Sequence, residues 1–432
     1  MMSKIFPFSD FMYLAQLEEY DVWRYLTLVK RFFFRRNIQT RGRLIYTQRA
    51  LAIYSGSVAI WLWCVTSTSS LTIIAISTLA IPLLIVPPLL ITEPIYGLLK
   101  LIKIRKATSL LRKGRTKVIV IAGSYGKTTV KNFLYQLLKP FYKTQMVGGN
   151  INSAIGIAQW ILQNYQVQCQ FLIVEVDSYA LGRIARSVAM LCPDYTILTS
   201  IGDQHGERFG SKRNLATALL EIHTPCHKPQ NHITTREVDQ YIREQNIKTV
   251  LYHLAQSTEQ ATHLSKTQQQ CLDLACSVAH QLEIKPNVLQ LCKQSLTVPD
   301  RRQKLTWLHG FTTIDDSYNI SYTTAISALT TAHELASKEK KNLLVLCAGI
   351  PELLPSERDR NQQLARAIGE RATHTLLLTS IFAKEMAEVL RDANKSFSLH
   401  TSMSDAIQYL ITSQDPKQTL LLQFPELTDL YY

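Results

Sequence analysis

The chain has few of the features that mark a secreted, zinc-binding or nucleic-acid-binding protein. Its eight cysteines are spread over 432 residues without a C-x-x-C pair, so neither a disulfide framework nor a zinc ribbon is indicated. Internal repeats and low-complexity tracts are also lacking. The basic N-terminal region does not alternate aromatic and basic side chains as single-strand platforms do. We therefore predict no nucleic-acid partner.

Acidic residues are scarce in one part of the chain only. Residues 1–117 hold 17 lysines and arginines against 5 acidic residues, whereas the remainder is nearly balanced. The formal net charge of +14 therefore belongs almost entirely to the N-terminal region. Within that region, residues 8–36 are rich in Phe, Tyr and Trp and predict one amphipathic helix, which either lies on a membrane surface or packs against the following segment.

No charged residue occurs between Ala50 and Thr92, a run rich in Leu, Ile, Val, Ala and Trp. A helix needs about 20 apolar residues to cross a bilayer, so this run fits a transmembrane hairpin with its turn at 67–70. Basic residues flank both ends and predict that both ends are cytoplasmic. We predict a two-pass anchor in the inner membrane, in contact with lipid. A re-entrant second segment and a buried hairpin of a soluble protein are the alternatives.

The remainder of the chain alternates apolar runs with helical patterns, which predicts α/β domains with parallel sheets. We expect strands at 118–122, 171–176 and 195–199, then at 311–314, 343–347, 375–378, 397–400 and 420–424. The predicted organisation is an N-terminal helical segment (1–49), the hairpin (50–92), a basic linker (93–117), a first α/β domain (118–299) and a second (300–432).

The most informative motif follows the first of these strands. The loop consists of Gly123, Ser124, Tyr125, Gly126, Lys127, Thr128 and Thr129, and a helical pattern begins at once. Glycines let backbone N–H groups turn toward an anion, and the helix N-terminus adds its positive end. A lysine in this position reaches the β- and γ-phosphates, and the next hydroxyl suits Mg²⁺. The motif predicts a site for a nucleoside triphosphate.

Polar side chains follow three other predicted strands. Glu175 ends a buried strand, where an acid meets Mg²⁺ in phosphate-loop enzymes. His205 follows the next strand in a glycine-rich loop. Asp316 and Asn319 follow the first strand of the second domain, and such residues suit ribose hydroxyls or an adenine edge as well as a plain turn.

Together these motifs resemble the Mur ligase family, the ATP-dependent amide-bond ligases of peptidoglycan precursor synthesis. The phosphate loop, Ile201-Gly-Asp-Gln-His205 and Pro299-Asp-Arg301 occur in the family's order. Ile314-Asp-Asp-Ser-Tyr-Asn319 and Asn150-Ile-Asn152 are similar to motifs of the branch that adds D-alanyl-D-alanine. The resemblance covers roughly residues 118–432.

The resemblance implies a central ATP-binding domain and a Rossmann-like C-terminal domain, with the hairpin in place of the family's UDP-binding domain. Lys127 and His205 would be catalytic, Thr128, Glu175 and His205 would bind Mg²⁺, and Arg301, Asp316 and Asn319 would reach the nucleotide. Asn150 and Asn152 would bind substrate. ATP would activate a carboxylate of an envelope precursor, and an amino acid or dipeptide amine would attack it.

The sequence departs from the family at Leu219, where many members carry a lysine that bridges a second Mg²⁺. An asparagine usually found near adenine is replaced by Gln270. Two alternatives to the envelope-precursor ligase therefore stay open. One is a polymer-forming ligase of the poly-γ-glutamate type, and the other is a degenerate, nucleotide-binding membrane scaffold.

Overall fold

The computed structural model describes residues 8–18, 20–32, 44–149, 151–177, 180–202, 209–225, 231–257, 264–350, 357–380 and 382–425. The chain divides into two compact units, one ending at Lys103 and one beginning at Ile104. The division falls inside the helix Val86–Lys113.

The described part of the N-terminal unit is helical. Its helices span Phe8–Leu17, Val22–Phe32, Gln48–Thr66, Leu71–Leu79, Ile81–Leu84 and Val86–Lys113. The prediction of one helix over 8–36 is wrong, because the helical conformation is interrupted at Tyr20, whose φ is 65°. An L-residue at positive φ ends a right-handed helix. The Asp21 carboxylate then accepts a hydrogen bond from the Arg24 N–H at 3.0 Å and starts the second helix.

The apolar run forms helices on both sides of the predicted turn. The first helix ends at Thr66, and the next begins at Leu71. The second half is interrupted near Pro82 rather than continuous, since proline removes a backbone donor. The final helix continues to Lys113 with Pro94 inside it, so residues predicted as a basic linker are largely helical.

Two stretches in this unit are long and apolar enough to cross a bilayer, by length and composition alone. They are Gln48–Thr66 and the helical stretch Ile81–Lys113. Large apolar side chains on these helices and on the one between them are exposed, among them Trp63 at 70%, Leu71 at 82% and Ile91 at 68%. Exposed apolar surface of this extent is typical of a membrane or protein contact.

The second unit begins with a parallel sheet. Its strands are β1 (Lys117–Ala122), β2 (Thr144–Met146), β3 (Phe171–Glu175), β4 (Tyr195–Leu198), β5 (Asn231–Thr234) and β6 (His253–Leu254). In the described part of the chain their order is β2-β3-β1-β4-β5-β6. β1, which leads into the phosphate loop, is therefore central, between β3 and β4.

Both faces of this sheet are covered by helices, because alternate residues of the strands face opposite sides. Val118 and Val120 pack in one buried cluster, and Ile119 and Ile121 pack in the other. The helices of this part span Lys127–Leu138, Ala154–Asn164, Arg183–Leu191, Lys212–Leu220, Arg236–Glu244, Lys266–Gln281 and Pro286–Gln294.

A second sheet follows after Arg301. It consists of β7 (Lys304–Leu308), β8 (Phe311–Asp315), β9 (Asn342–Cys347), β10 (His374–Leu378), β11 (Phe397–His400) and β12 (Thr419–Gln423). The described strands lie in the order β11-β10-β9-β12-β8-β7, all parallel except the edge strand β7. Helices Tyr322–Glu339, Glu357–Arg371, Ala383–Asp392 and Met403–Ser413 connect them.

The eight strands predicted from the sequence lie within one or two residues of observed strands. The described part of the region between 226 and 298 holds more structure than its polar composition indicates, since β5, β6 and three helices form there. Six of the described cysteines are free, whereas Cys192 is disulfide-bonded. The spacing of the cysteines gives no sign of that bond.

Candidate functional site

The carboxyl ends of three neighbouring strands meet at one edge of the first sheet. In the parallel ladders, Ile121 of β1 is paired with Glu175 of β3, and Ala122 is paired with Leu198 of β4. The loop after β1, the Glu175 carboxylate and the residues after Leu198 therefore lie together. Ligands of open parallel sheets bind at such an edge.

Two glycines allow the loop after β1 to pass close to its neighbours. Gly123 has φ +143°, and a Cβ there would lie 2.1 Å from Thr199 Oγ1. Gly126 has φ +85°, and a Cβ there would lie 2.9 Å from Cys271 Sγ. Both positions combine an unfavourable φ for L-residues with a steric clash, so glycine is required at each.

Hydrogen bonds to the end of β4 hold the loop in shape. The Tyr125 N–H donates to Ser200 Oγ at 2.9 Å, and the Gly202 N–H donates to Ser124 Oγ at 2.9 Å. The Thr199 hydroxyl donates to the Tyr125 carbonyl at 2.5 Å. A cradle fixed in this way is preorganised for an anion at the N-terminus of the helix Lys127–Leu138.

Lys127 lies at the start of that helix and folds back over the loop. Its Nζ donates to the Gly123 carbonyl at 2.6 Å and lies 3.3 Å from Asp177 Oδ2. The side chain is buried, as is Thr129 in the same turn. The ammonium group therefore already lies across the loop into which phosphates would fit.

Thr128 and Glu175 bring two oxygen ligands together. The Thr128 hydroxyl donates to Glu175 Oε2 at 3.0 Å. Adjacent ligands of an octahedral Mg²⁺ with bonds of 2.0–2.1 Å lie about 2.9 Å apart. The two oxygens therefore fit one Mg²⁺, which Thr128 and Glu175 would hold. A metal ion there would supply positive charge to neutralise phosphate oxygens.

Leu219 cannot supply a ligand to the second Mg²⁺ site that is found in many members of the family. This side chain is 2% exposed and packs in the hydrophobic cluster beneath the helix Lys212–Leu220. His205, the other residue expected there, lies outside the described residues. Among the described residues, no group of three or more His, Cys, Asp or Glu side chains is arranged to hold a metal ion.

Arg302 reaches the phosphate loop, although the sequence motif Pro299-Asp-Arg301 ends one residue before it. Its Nη2 donates to Thr128 Oγ1 at 3.2 Å, and its guanidinium lies 3.8 Å from the centre of the Tyr318 ring. Burial lowers the pKa of this guanidinium, and the nearby Glu175 carboxylate opposes that effect. Arginine nonetheless stays charged in proteins. The residue therefore places a fixed positive charge beside the Thr128 hydroxyl.

Arg301, predicted to reach the nucleotide, contacts Ser317. Its Nε donates to Ser317 Oγ at 2.9 Å and its Nη2 donates to the Ser317 carbonyl at 2.6 Å. Arg301 and Gln303 both have positive φ, 59° and 57°. This local backbone decides which of the two arginines faces the loop, and the sequence carries no clear signal for it.

Asp316 is buried beside Arg302. Burial raises the pKa of its carboxyl to about 7, and the Arg302 charge partly offsets that effect. Gln303 Nε2 donates to Asp316 Oδ2 at 3.3 Å. Asn319 lies at the following turn, where its Oδ1 accepts from the Ile320 N–H. Asp316 therefore lies at the site, and Asn319 lies on the segment that extends from it.

Asn152, one of the two asparagines predicted to bind substrate, lies beside the residues that follow β3. The carbonyl of Asn152 accepts from the Asp177 N–H at 3.2 Å, which ties its segment to the end of β3. Asn150 lies outside the described residues. Gln270 donates to Glu237 Oε1 at 2.7 Å on the surface. The structure thus places Lys127, Thr128, Glu175 and Asp316 around one loop, with Arg302 as an addition.

Residues 121–289 match a model of the Mur ligase middle domain. The chain carries a Mur ligase middle domain. This segment contains the phosphate loop and Glu175, so the family resemblance of these motifs is confirmed. The relatives belong to the branch predicted from the sequence. They include the UDP-N-acetylmuramoyl-tripeptide–D-alanyl-D-alanine ligases of Bacillus subtilis, 33% identical over 116 residues, and of Borreliella burgdorferi, 34% identical over 116 residues.

Each of these two matches covers 27% of this chain and 25% of the relative. The matched stretch is therefore about a quarter of the length of those ligases. Structural similarity extends further. The MurF ligase of Thermotoga maritima, solved in complex with ADP, aligns with a TM-score of 0.64 over 76% of this chain and 80% of that chain, at 19% identity. The aligned part of the chain therefore has a Mur-ligase-like α/β fold with two largely parallel sheets.

Proposed function

We propose that this protein is an ATP-dependent, ADP-forming ligase that joins a carboxylate to an amine on a peptidoglycan-type precursor. The observation that carries the proposal is the 3.0 Å contact between Thr128 and Glu175 beside the phosphate loop. Together with the Mur ligase middle domain, it supports a Mg²⁺–ATP site of the ligase type. The residues proposed to bind ATP are Gly123 to Thr129, with Arg301, Asp316 and Asn319 on the side of the second sheet.

In the proposed reaction, a carboxylate oxygen of the acceptor attacks the γ-phosphorus of ATP, and ADP leaves. The amine then attacks the carbonyl carbon of the acyl phosphate. The bond from that carbon to the phosphate-bearing oxygen breaks, the amine loses a proton, and phosphate leaves with the oxygen. Phosphoryl transfer of this kind depends on positioning and charge neutralisation.

Three described residues would act on the charge of the reaction. Lys127 would exchange its contacts with the Gly123 carbonyl and Asp177 for the phosphates. Arg302 lies beside Thr128 and would stabilise charge that develops on the transferred group. Glu175 would hold Mg²⁺ together with Thr128. Because Arg302 belongs to the segment that leads into the second sheet, the complete site needs both α/β parts of the second unit. That second part is proposed to be Rossmann-like.

The acceptor and amine are proposed from the relatives' names: a UDP-linked muramoyl peptide and D-alanyl-D-alanine. We further propose that the reaction takes place at the cytoplasmic face of the inner membrane. The exposed apolar side chains of the N-terminal helices support this location, as do the basic residues that flank them. At this location, a carboxylate-bearing precursor that is held at the membrane would also serve as the acceptor.

The proposal is tested with the full chain in detergent micelles. Phosphate release from ATP and Mg²⁺ is measured with the muramoyl tripeptide, with D-alanyl-D-alanine, with both, and with neither. Release that requires both substrates and is lost in Lys127→Ala supports a ligase, and Lys139→Ala, on the exposed end of the same helix, is the control. Release with poly-γ-glutamate and glutamate instead identifies the polymer ligase. Nucleotide binding without release under any pair identifies the scaffold.

A further inference from the structure

A buried lysine of the phosphate-loop helix takes no part in the function proposed above. Lys131 lies one helical turn after Lys127, on the same side of the helix. Its side chain is 3% exposed. Lysine is rarely buried to this degree unless each of its donors has a partner.

The ammonium group of Lys131 has three partners. Its Nζ lies 3.3 Å from Glu175 Oε2 and donates to the carbonyls of Val147 and Gly149, at 3.2 Å each. Three partners match the three donors of an ammonium group. One charged side chain thus joins the proposed metal ligand to the backbone of a neighbouring loop.

The Glu175 end of this arrangement is shared with the proposed metal site. The same oxygen, Oε2, accepts from the Thr128 hydroxyl at 3.0 Å. Glu175 is 7% exposed, and both donors orient its carboxylate. A change at Lys131 therefore removes one of the groups that hold this carboxylate in place.

The two carbonyls bonded by Lys131, those of Val147 and Gly149, belong to the loop that leads to the asparagines predicted to bind substrate. The Val147 N–H donates to the Ile173 carbonyl at 2.9 Å, which anchors the start of the loop on β3. Gly149 follows with φ +60°. The chain then continues to Asn152, whose carbonyl is bonded to the Asp177 N–H. Lys131 thus holds the loop just before the asparagines proposed to bind substrate.

We propose that Lys131 is a positioning residue that couples Mg²⁺ binding at Glu175 to the conformation of the loop at 147–149. Metal binding draws on the carboxylate that Lys131 holds, and the loop carbonyls share the same ammonium group. Coupling of this kind is reciprocal, so a change in the loop alters metal affinity as much as metal alters the loop. The inference rests on the proposed Mg²⁺–nucleotide site but requires no turnover.

The test uses Lys131→Met in the full detergent-solubilised chain, with Lys139→Met as the matched control. ADP affinity is measured by calorimetry with Mg²⁺ and with EDTA, and their ratio is the Mg²⁺ enhancement. Amide hydrogen exchange at 147–149 is measured with and without Mg²⁺–ADP. We expect at least a tenfold smaller enhancement in Lys131→Met, an EDTA affinity within twofold of the parent, and no exchange response to Mg²⁺–ADP. Lys139→Met is expected to keep the parent's Mg²⁺ enhancement, EDTA affinity and exchange response.

A second variant tests the coupling from the loop and covers the case in which Lys131→Met does not fold. A Cβ at Gly149 meets no atom within 4 Å, so Gly149→Ala disturbs the loop only through its positive φ. We expect at least a threefold smaller Mg²⁺ enhancement. Parent-like enhancement in each variant that folds overturns the inference.

Failure of the proposed function is recognised separately. Parent protein that binds Mg²⁺–ADP but never joins two substrates contradicts the ligase proposal, while the role of Lys131 is still decided by the binding ratio. Parent protein that shows no Mg²⁺ enhancement contradicts both.

Discussion

The Arg302 guanidinium donates a hydrogen bond to the Thr128 hydroxyl at 3.2 Å, across 174 positions of sequence. Thr128 also bonds Glu175, so one hydroxyl lies between a fixed cation and the proposed metal ligand. The Tyr318 ring stacks on the guanidinium and holds it in place. This arrangement makes the segment before the second sheet part of the proposed site.

Arg302→Ala is expected to lower the rate of phosphate release by about 100-fold, because removal of one preorganised charge stabiliser typically costs that much. Arg301→Ala is the matched comparison, since the Arg301 side chain bonds Ser317 and the Arg302 side chain bonds Thr128. It is expected to keep the rate within about tenfold of the parent. Steady-state release at saturating substrates measures both. A larger loss in Arg301→Ala would mean that the arginines exchange roles when nucleotide binds.

Leu219→Ala is expected to destabilise the protein by about 2–5 kcal/mol, because the side chain is buried in the core and its removal leaves a cavity. The measurement is the shift in chemical unfolding, followed by a probe in the second unit. Leu254→Ala, at a more exposed position on strand β6, is the control. An unchanged midpoint with altered Mg²⁺ dependence would instead place Leu219 near a metal.

Two buried histidines predict that the fold loses stability in mild acid. The His223 and His232 rings lie 4.5 Å apart, and burial lowers the pKa of each, to about 3 for His223. Within the described part of the chain, His223 Nε2 has no hydrogen-bond partner. Thr249 contacts His223 Nδ1, and Thr196 contacts His232 Nδ1. His253 adds a repulsion that also lowers the pKa of His232.

The direction of the change in stability with pH follows from proton uptake by the unfolded chain. The folded state holds the pKa of both rings below its ordinary value, whereas the unfolded chain takes up protons around pH 6.5. Stability therefore falls as the pH decreases from 6.5 toward 3, by roughly 2 kcal/mol between pH 6.5 and 5 for His223 alone. Thermal unfolding at pH 7.5 and 5 measures this loss. His223→Phe is expected to reduce it, and His280→Gln, at an exposed position, is not. Equal losses in the two variants would contradict the assignment.

The full chain is expected to remain in the membrane pellet after alkaline extraction. Leu79 and Ile91 are 68% exposed on the N-terminal helices, and a charge at the centre of a spanning helix costs about 2.5–3.5 kcal/mol. Ile91→Lys is therefore expected to lower the pelleted fraction, whereas Leu251→Lys, 96% exposed in the second unit, is not. Recovery of the unchanged chain in the soluble fraction would contradict the anchor.

Much of the second unit follows from the sequence because its strands are short, continuous apolar runs with polar residues at their ends. That pattern locates β1 and β3 and, through the parallel ladders, brings Thr128 and Glu175 together. It does not locate Arg302, because the positive φ values at 301 and 303 decide which arginine turns inward. Lys131 did leave a signal, since its four-residue spacing from Lys127 places both on one helical face.

The proposed reaction is tested most directly by following an oxygen atom. The acceptor carboxylate is labelled with ¹⁸O, and the phosphate released in the presence of ATP, Mg²⁺ and the amine is analysed by mass spectrometry. An acyl phosphate that is attacked by the amine leaves one acceptor oxygen in the phosphate, so we predict one ¹⁸O per phosphate and an equal amount of amide. Phosphate without ¹⁸O, released whether or not the amine is present, would show simple ATP hydrolysis and contradict the ligase account.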